Sequence, residues 1–188
     1  MPRAALLSPE NRKKVLDALG EAQRIGMLGD APLEQVVDRS LAFVRALPRE
    51  ARTVIDLGSG GGDPGLVIAV ADPDLVVTLV DRREKRTDLL GRLVGRLGLQ
   101  DRIEVVTSDV VELGRRLPGR FWDAATSRGF GPPEYTASHA SALLQPGGVL
   151  LVSEPPASDG SRWENQEVRD QGFVLAQVVD GVAVLVRS

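Results

Sequence analysis

The sequence predicts an α/β fold: a doubly wound sheet of five parallel strands, finished by a C-terminal antiparallel hairpin and preceded by N-terminal helices. Three observations carry that expectation. From residue 53, short apolar runs alternate with helix-patterned stretches, as in parallel sheets covered on both faces. The first run stops on a glycine-rich turn that opens a helix, Asp56-Leu57-Gly58-Ser59-Gly60-Gly61-Gly62-Asp63-Pro64-Gly65. The last two runs are separated only by Asp180–Gly181, a pair that tolerates the positive φ of a two-residue hairpin.

The elements follow in order. Ser8–Pro9–Glu10 is a helix start, with serine as N-cap and proline in the first turn, and Val15, Leu16, Leu19 and Ala22 continue at helical spacing. After the Gly26–Asp30 break, Leu33, Val36, Val37, Leu41, Val44 and Leu47 form the apolar stripe of a second helix, which Pro48 ends. Strands are expected at Thr53–Leu57, Leu75–Val80, Arg102–Thr107, Trp122–Thr126 and Val149–Ser153, with helices near 64–71, 83–97, 110–117 and 134–144. The right-handed crossover rule makes a doubly wound order the favoured one. Glu154–Asp170 reads as loop, and Phe173–Val179 with Val182–Val186 as the hairpin. Residues 1–50 are expected to form a helical extension and 51–188 the sheet domain, in one compact unit.

Composition excludes several chemistries. The 188 residues contain no cysteine and a single histidine, His139, which removes cysteine nucleophiles, thiolate metal sites and multi-histidine metal sites. No metal is expected. The longest apolar run, Leu66–Ala71, falls far short of the ~20 residues that span a bilayer. The segment Met1–Leu7 meets polar, proline-bearing sequence before a signal core develops, so a cytoplasmic protein without membrane contact is expected. A net charge of −3 gives no global attraction to nucleic acid.

The glycine turn carries the chemistry. The register Gly60-x-Gly62-x-x-Gly65 matches a dinucleotide pattern but sets Asp63–Pro64 inside the phosphate turn, which suits a pyrophosphate poorly. The register Asp56-x-Gly58-x-Gly60 places a carboxylate before the turn, which suits the cationic amino end of S-adenosylmethionine. Asp81 ends the second strand, where a carboxylate accepts ribose hydroxyls. Asp109, after the third strand, has two competing roles: a contact to an adenine amino group, or N-cap of the next helix. His139, with no partner acid nearby, is expected to be structural or on the surface.

With these residues in view, the chain resembles the 16S rRNA guanine-N7 methyltransferases, the RsmG or glucose-inhibited division protein B family. The resemblance rests on Gly58-Ser59-Gly60-Gly61-Gly62-Asp63-Pro64-Gly65, on Asp81-Arg82-Arg83-Glu84-Lys85-Arg86 and on Thr126-Ser127-Arg128-Gly129-Phe130, and covers roughly residues 25–153. It implies a class I methyltransferase (Rossmann-like) fold and binding of S-adenosylmethionine, with S-adenosylhomocysteine as product. Cofactor contacts are implied at Gly58, Gly60 and Gly62, at Asp63, at the Val110–Val111 pair and at Arg128. Asp56, Ser59, Asp81, Arg82 and Asp109 complete the candidate set, and no residue stands out as a catalytic base. The implied partner is 16S rRNA or the small ribosomal subunit.

The departures from that pattern concern mainly the substrate. Asp63 stands where the family usually has an apolar residue, and Val111 where it commonly has glutamate. Asp38–Arg39–Ser40 has serine in place of histidine, Ile25–Leu28 replaces an Asn-Leu-Thr element, and Ser153–Glu154–Pro155–Pro156 replaces a Lys-Gly step. These changes lower positive charge and keep a small-molecule acceptor, or cofactor binding without transfer, as alternatives. Against that, residues 82–102 carry seven basic groups and three acidic ones, with Arg82, Arg86, Arg92 and Arg96 expected on an outer helix face. Guanine N7 has a free lone pair and no proton to lose, so positioning alone can drive transfer to it. The absence of an evident base mildly favours such ring-nitrogen chemistry.

Overall fold

The computed structural model describes residues 6–188. The reading of the first residues as lacking a signal core falls mostly on 1–5, outside the described residues. Helices α1 (Pro9–Arg24) and α2 (Leu33–Ala46) lead into β1 (Thr53–Leu57), α3 (Gly65–Ala71), β2 (Val76–Asp81), α4 (Glu84–Leu97) and β3 (Ile103–Thr107). The chain continues through α5 (Val110–Arg116), β4 (Trp122–Ser127), α6 (Pro133–Ser141), β5 (Leu144–Ser153), α7 (Gln166–Asp170), β6 (Phe173–Val179) and β7 (Val182–Arg187). Ser8 caps α1 as the sequence predicts, its Oγ accepting the Asn11 N–H at 3.1 Å.

The sheet order is β3-β2-β1-β4-β5-β7-β6, parallel through β5 and antiparallel in the terminal hairpin. Alternation along the strands divides the core in two. Val54, Val77, Leu79, Ala124 and Leu151 face the side covered by α1–α4. Ile55, Leu57, Val80, Ala125 and Leu150 face the side covered by α5–α7. Val15, Leu19, Val37 and Phe43 of α1 and α2 are buried in the same cluster as α3 and α4, so the N-terminal helices pack directly on the sheet layer.

Two expectations need correction. The stretch after β5 is more ordered than its proline and serine content suggests, with a 3₁₀ turn at Ser161–Trp163 followed by α7. Trp163 and Val168 are buried, and the Asn165 side chain accepts the Val168 N–H at 2.8 Å. Two anchors are too few to produce a readable period. Strand β5 starts at Leu144, not Val149, because Leu144 pairs with Trp122 across an irregularity that leaves Gln145–Gly147 exposed. A search for continuous apolar runs misses such a bulge.

Close approach of β1 and α3 requires Gly65. A Cβ there would lie 2.5 Å from Leu79 Cδ2 and 2.7 Å from Asp56 Oδ2. Gly65→Ala is expected to destabilise the protein by roughly 1–3 kcal/mol through overpacking, read from the urea unfolding midpoint.

Candidate active site

Sheet order reverses at β1, whose neighbours are β2 on one side and β4 on the other. At such a switch point the crossover helices diverge and leave a crevice at the carboxyl ends of the strands. Register aligns those ends: Leu57 pairs with Val80 and with Ser127, and Asp81 pairs with Thr107. Here lies a cavity of about 450 Å³, within the ~300–1,000 Å³ of small-molecule sites. Gly58 and Val80 line its base. Asp81, Arg82, Arg83, Arg86, Ser108, Asp109 and Val110 contribute from the β2–β3 side, and Gly129–Pro132 with Tyr135 from the β4 side.

The glycine turn is stitched to β2. The Ser59 N–H donates to Val80 O at 2.9 Å, and the Val80 N–H donates to Ser59 Oγ at 3.0 Å. The Gly60 N–H donates to Asp81 Oδ2 at 3.0 Å. Gly58 has φ +72°, and a Cβ on it would sit 3.0 Å from the Phe130 ring, so only glycine fits between turn and ring. Asp81 also accepts the Arg83 N–H at 2.9 Å and the Arg86 guanidinium at 3.2 Å. A carboxylate has about four acceptor positions, so Asp81 keeps capacity for a ligand hydroxyl. Asp109 caps α5, accepting the Val111 N–H at 2.9 Å, while also lining the cavity. Both roles considered for it are compatible.

The structure therefore brings Gly58, Asp81, Arg82, Asp109 and Val110 to the cavity. Asp56, Ser59, Gly60, Gly62, Asp63 and Arg128 are not among the residues lining it. Asp56 is buried beneath the turn, its carboxylate accepting Thr126 Oγ1–H at 2.8 Å and the Gly65 N–H at 3.3 Å. Asp63 accepts the Ser40 hydroxyl at 2.6 Å and forms an ion pair with Arg128. Arg86 is half-buried on Asp81 rather than free on an outer face, and Arg102 donates to the Asp72 and Leu75 carbonyls. Glu154 is enclosed by its own loop, accepting from Ser158, Arg162 and Trp163 Nε1. The sequence placed none of Arg86, Ser108, Phe130 or Tyr135 at the cavity. Adjacency to the Ser127–Arg128 element was the available signal for the last two.

The cavity suits a nucleoside cofactor. The glycine turn presents backbone alone to the cavity at Gly58, a position closed to any side chain. Asp81 brings a carboxylate to the cavity, and among the described residues the buried Ser127 Oγ at the end of β4 has no hydrogen-bond partner.

Residues 22–174 match the family model described as GidB, rRNA small subunit methyltransferase G. The chain belongs to this family. Relatives named ribosomal RNA small subunit methyltransferase G include those of Acidothermus cellulolyticus (36% identity, covering 85% of this chain and 69% of the relative) and Nocardioides sp. (38%, covering 70% and 52%). The match thus spans about two thirds of the first relative and about half of the second. Among solved structures, the cofactor-bound Rv0187 from MTB aligns at TM-score 0.64 and 20% identity, covering 93% of this chain and 89% of that one. The O-methyltransferase from Bacillus cereus in complex with SAH aligns at TM-score 0.63 and 17% identity, covering 97% and 93%. At that identity these structures establish the class I methyltransferase fold alone.

Two departures from the family pattern, Asp63 and Ser40, are hydrogen-bonded to each other. The Asp63 side chain is 3% exposed. Arg128→Met is expected to destabilise the protein by about 3 kcal/mol by leaving that carboxylate short of its cation. Adding Asp63→Leu should recover most of the loss, as a double-mutant cycle in urea would show.

Burial raises the Asp56 carboxyl from 3.8 to about 6, aided by the Asp81 charge and opposed by the hydrogen bonds from Thr126 and Gly65. A raised native value means that the folded state holds this proton more tightly than the unfolded chain does. Its contribution to stability is therefore intact below about pH 4 and declines by roughly 3 kcal/mol as pH rises through about 6. Asp56→Asn should remove that component of the slope, measured by urea unfolding between pH 4 and 7.

Proposed function

We propose that this protein transfers a methyl group from S-adenosylmethionine to a guanine N7 of 16S rRNA, in the small ribosomal subunit or its precursor. The observation that carries the reading is the glycine turn held against the ends of β1 and β2 by Ser59 and Asp81, with a nucleoside-sized cavity above it. Family membership and the names of the relatives support the rRNA acceptor. Among the described residues no helix is long and apolar enough to cross a membrane, which accords with a cytoplasmic setting.

In this reading Asp81 accepts a ribose hydroxyl, Asp109 and Val110 border the adenine, and Gly58 lets the turn approach the ligand. Asp56 acts from below, fixing the turn through Gly65 and β4 through Thr126. Arg128 ties the loop after β4 to the glycine turn through Asp63. Bound S-adenosylmethionine would supply a methyl carbon on a sulfonium, open to in-line attack by a ring nitrogen, with the carbon–sulfur bond breaking and S-adenosylhomocysteine as the leaving group. A ring nitrogen with a free lone pair requires no base, so these residues contribute positioning. Glu154, one of the changes that kept a small-molecule acceptor as an alternative, is occupied by its own loop.

Labelled methyl from S-adenosylmethionine should enter 16S rRNA of small subunits taken from a strain lacking the gene. Label confined to soluble metabolites would overturn the rRNA acceptor. Asp81→Asn should weaken S-adenosylhomocysteine binding about 10- to 100-fold, measured by calorimetry.

A further inference from the structure

Aromatic side chains are scarce in this chain, with four phenylalanines, two tryptophans, one tyrosine and one histidine. The only tyrosine and the only histidine meet one of the phenylalanines at the edge of the cavity. Tyr135 and His139 lie one turn apart on α6, with ring centroids at 4.1 Å. Phe130 approaches both, at 5.5 Å from Tyr135 and 5.6 Å from His139.

The group is held rigidly. His139 Nδ1–H donates to the Tyr135 carbonyl at 2.6 Å, which orients the imidazole. The Tyr135 ring rests on the Gly131 backbone, where a Cβ would lie 2.5 Å from Cδ1. Phe130 in turn presses on Gly58 of the cofactor turn. Yet Tyr135 remains 44% exposed while lining the cavity.

We propose that Tyr135, backed by His139 and Phe130, is the stacking shelf for the unpaired nucleobase that accepts the methyl group. This rests on the methyl-transfer reading above. The side of the cavity decides between acceptor and cofactor. Residues suited to the adenosine, namely Asp81, Asp109 and Val110, come from the ends of β2 and β3. Tyr135 and Phe130 come from the opposite side, beyond β4, and leave that wall of the switch-point crevice for the second reactant. Single-stranded RNA bases are commonly recognised by stacking on such rings. A rigid aromatic surface gives that contact at low entropic cost, and its backbone-anchored loop sets the distance from the stacked base to the cofactor turn.

The test compares steady-state transfer to unmodified small subunits with S-adenosylhomocysteine binding. Tyr135→Leu should raise the acceptor KM about tenfold or more, as loss of a base stack does, while cofactor affinity stays within about twofold. Tyr135→Phe and Tyr135→Trp should bring KM back to within about threefold of the original, which loss of a merely structural contact would not predict. A fall in cofactor affinity equal to the rise in KM would overturn the proposal by assigning the ring to the adenine. An unchanged KM in Tyr135→Leu would overturn it as well. If the original protein transfers nothing to rRNA, the methyl-transfer reading fails on its own. Titrating Tyr135→Trp with a 16S rRNA fragment then still reads the shelf, since a stacked base quenches the new indole and an unchanged emission refutes stacking.

Discussion

The glycine turn keeps its shape because of a buried carboxylate under it. Asp56 lies on the α3 side of β1 and bonds at once to the Gly65 N–H of α3 and to Thr126 of β4. That joins three elements at the switch point, and it is possible only because residue 65 has no side chain. Burying a carboxyl is costly unless it is hydrogen-bonded or protonated, and here both remedies are at hand. Above this knot, Ser59 and Asp81 hold the turn against β2, so Gly58 faces the cavity in a fixed position.

The N-terminal helices bear on the same turn. Gly61 is packed so tightly that a Cβ would lie 2.9 Å from the Met27 carbonyl and 3.0 Å from Ala22 Cβ. Ser40 of α2 reaches Asp63, and Asp63 reaches Arg128 beyond β4. A polar chain thus runs from α2 through the cofactor turn to the loop that carries Phe130. The changes at positions 40 and 63, seen separately as losses relative to the family pattern, form one complementary contact. Each compensates the other, which places their effect in the scaffold rather than in charge presented to RNA.

The basic groups of residues 82–102 divide by use. Arg86 neutralises Asp81, Arg102 serves backbone carbonyls, and Arg96 pairs with Glu21. Arg82, Arg83, Lys85 and Arg92 stay exposed, two of them at the cavity itself. The surface available to phosphate is narrower than the charge count of that stretch suggests, and it adjoins the cavity. An acidic protein can engage a polyanion through so local a patch, because screening limits the reach of its distant carboxylates to about 10 Å or less.

Sequence alone determined the strand–helix alternation, the hairpin at Asp180–Gly181, the glycine turn and the strand-end carboxylate Asp81 that lines the cavity. These are local signals: period, turn chemistry and a motif contained within a few residues. What only the tertiary structure decided is how those residues are used. Asp56 and Asp81 share one face of the sheet, since Asp56 pairs with Leu79 and Leu79 lies two residues before Asp81, yet one is buried under the turn and the other lines the cavity, a difference that only packing shows. Ser40 with Asp63, and Glu154 with Arg162, become pairs through folding, and nothing in their spacing announces it. His139 is expected from sequence to be structural or on the surface, and nothing in the sequence marks Tyr135, His139 and Phe130 as one group. Helical spacing puts Tyr135 beside His139, but only the tertiary structure sets Phe130 against both rings and against Gly58, and so places the group at the cavity.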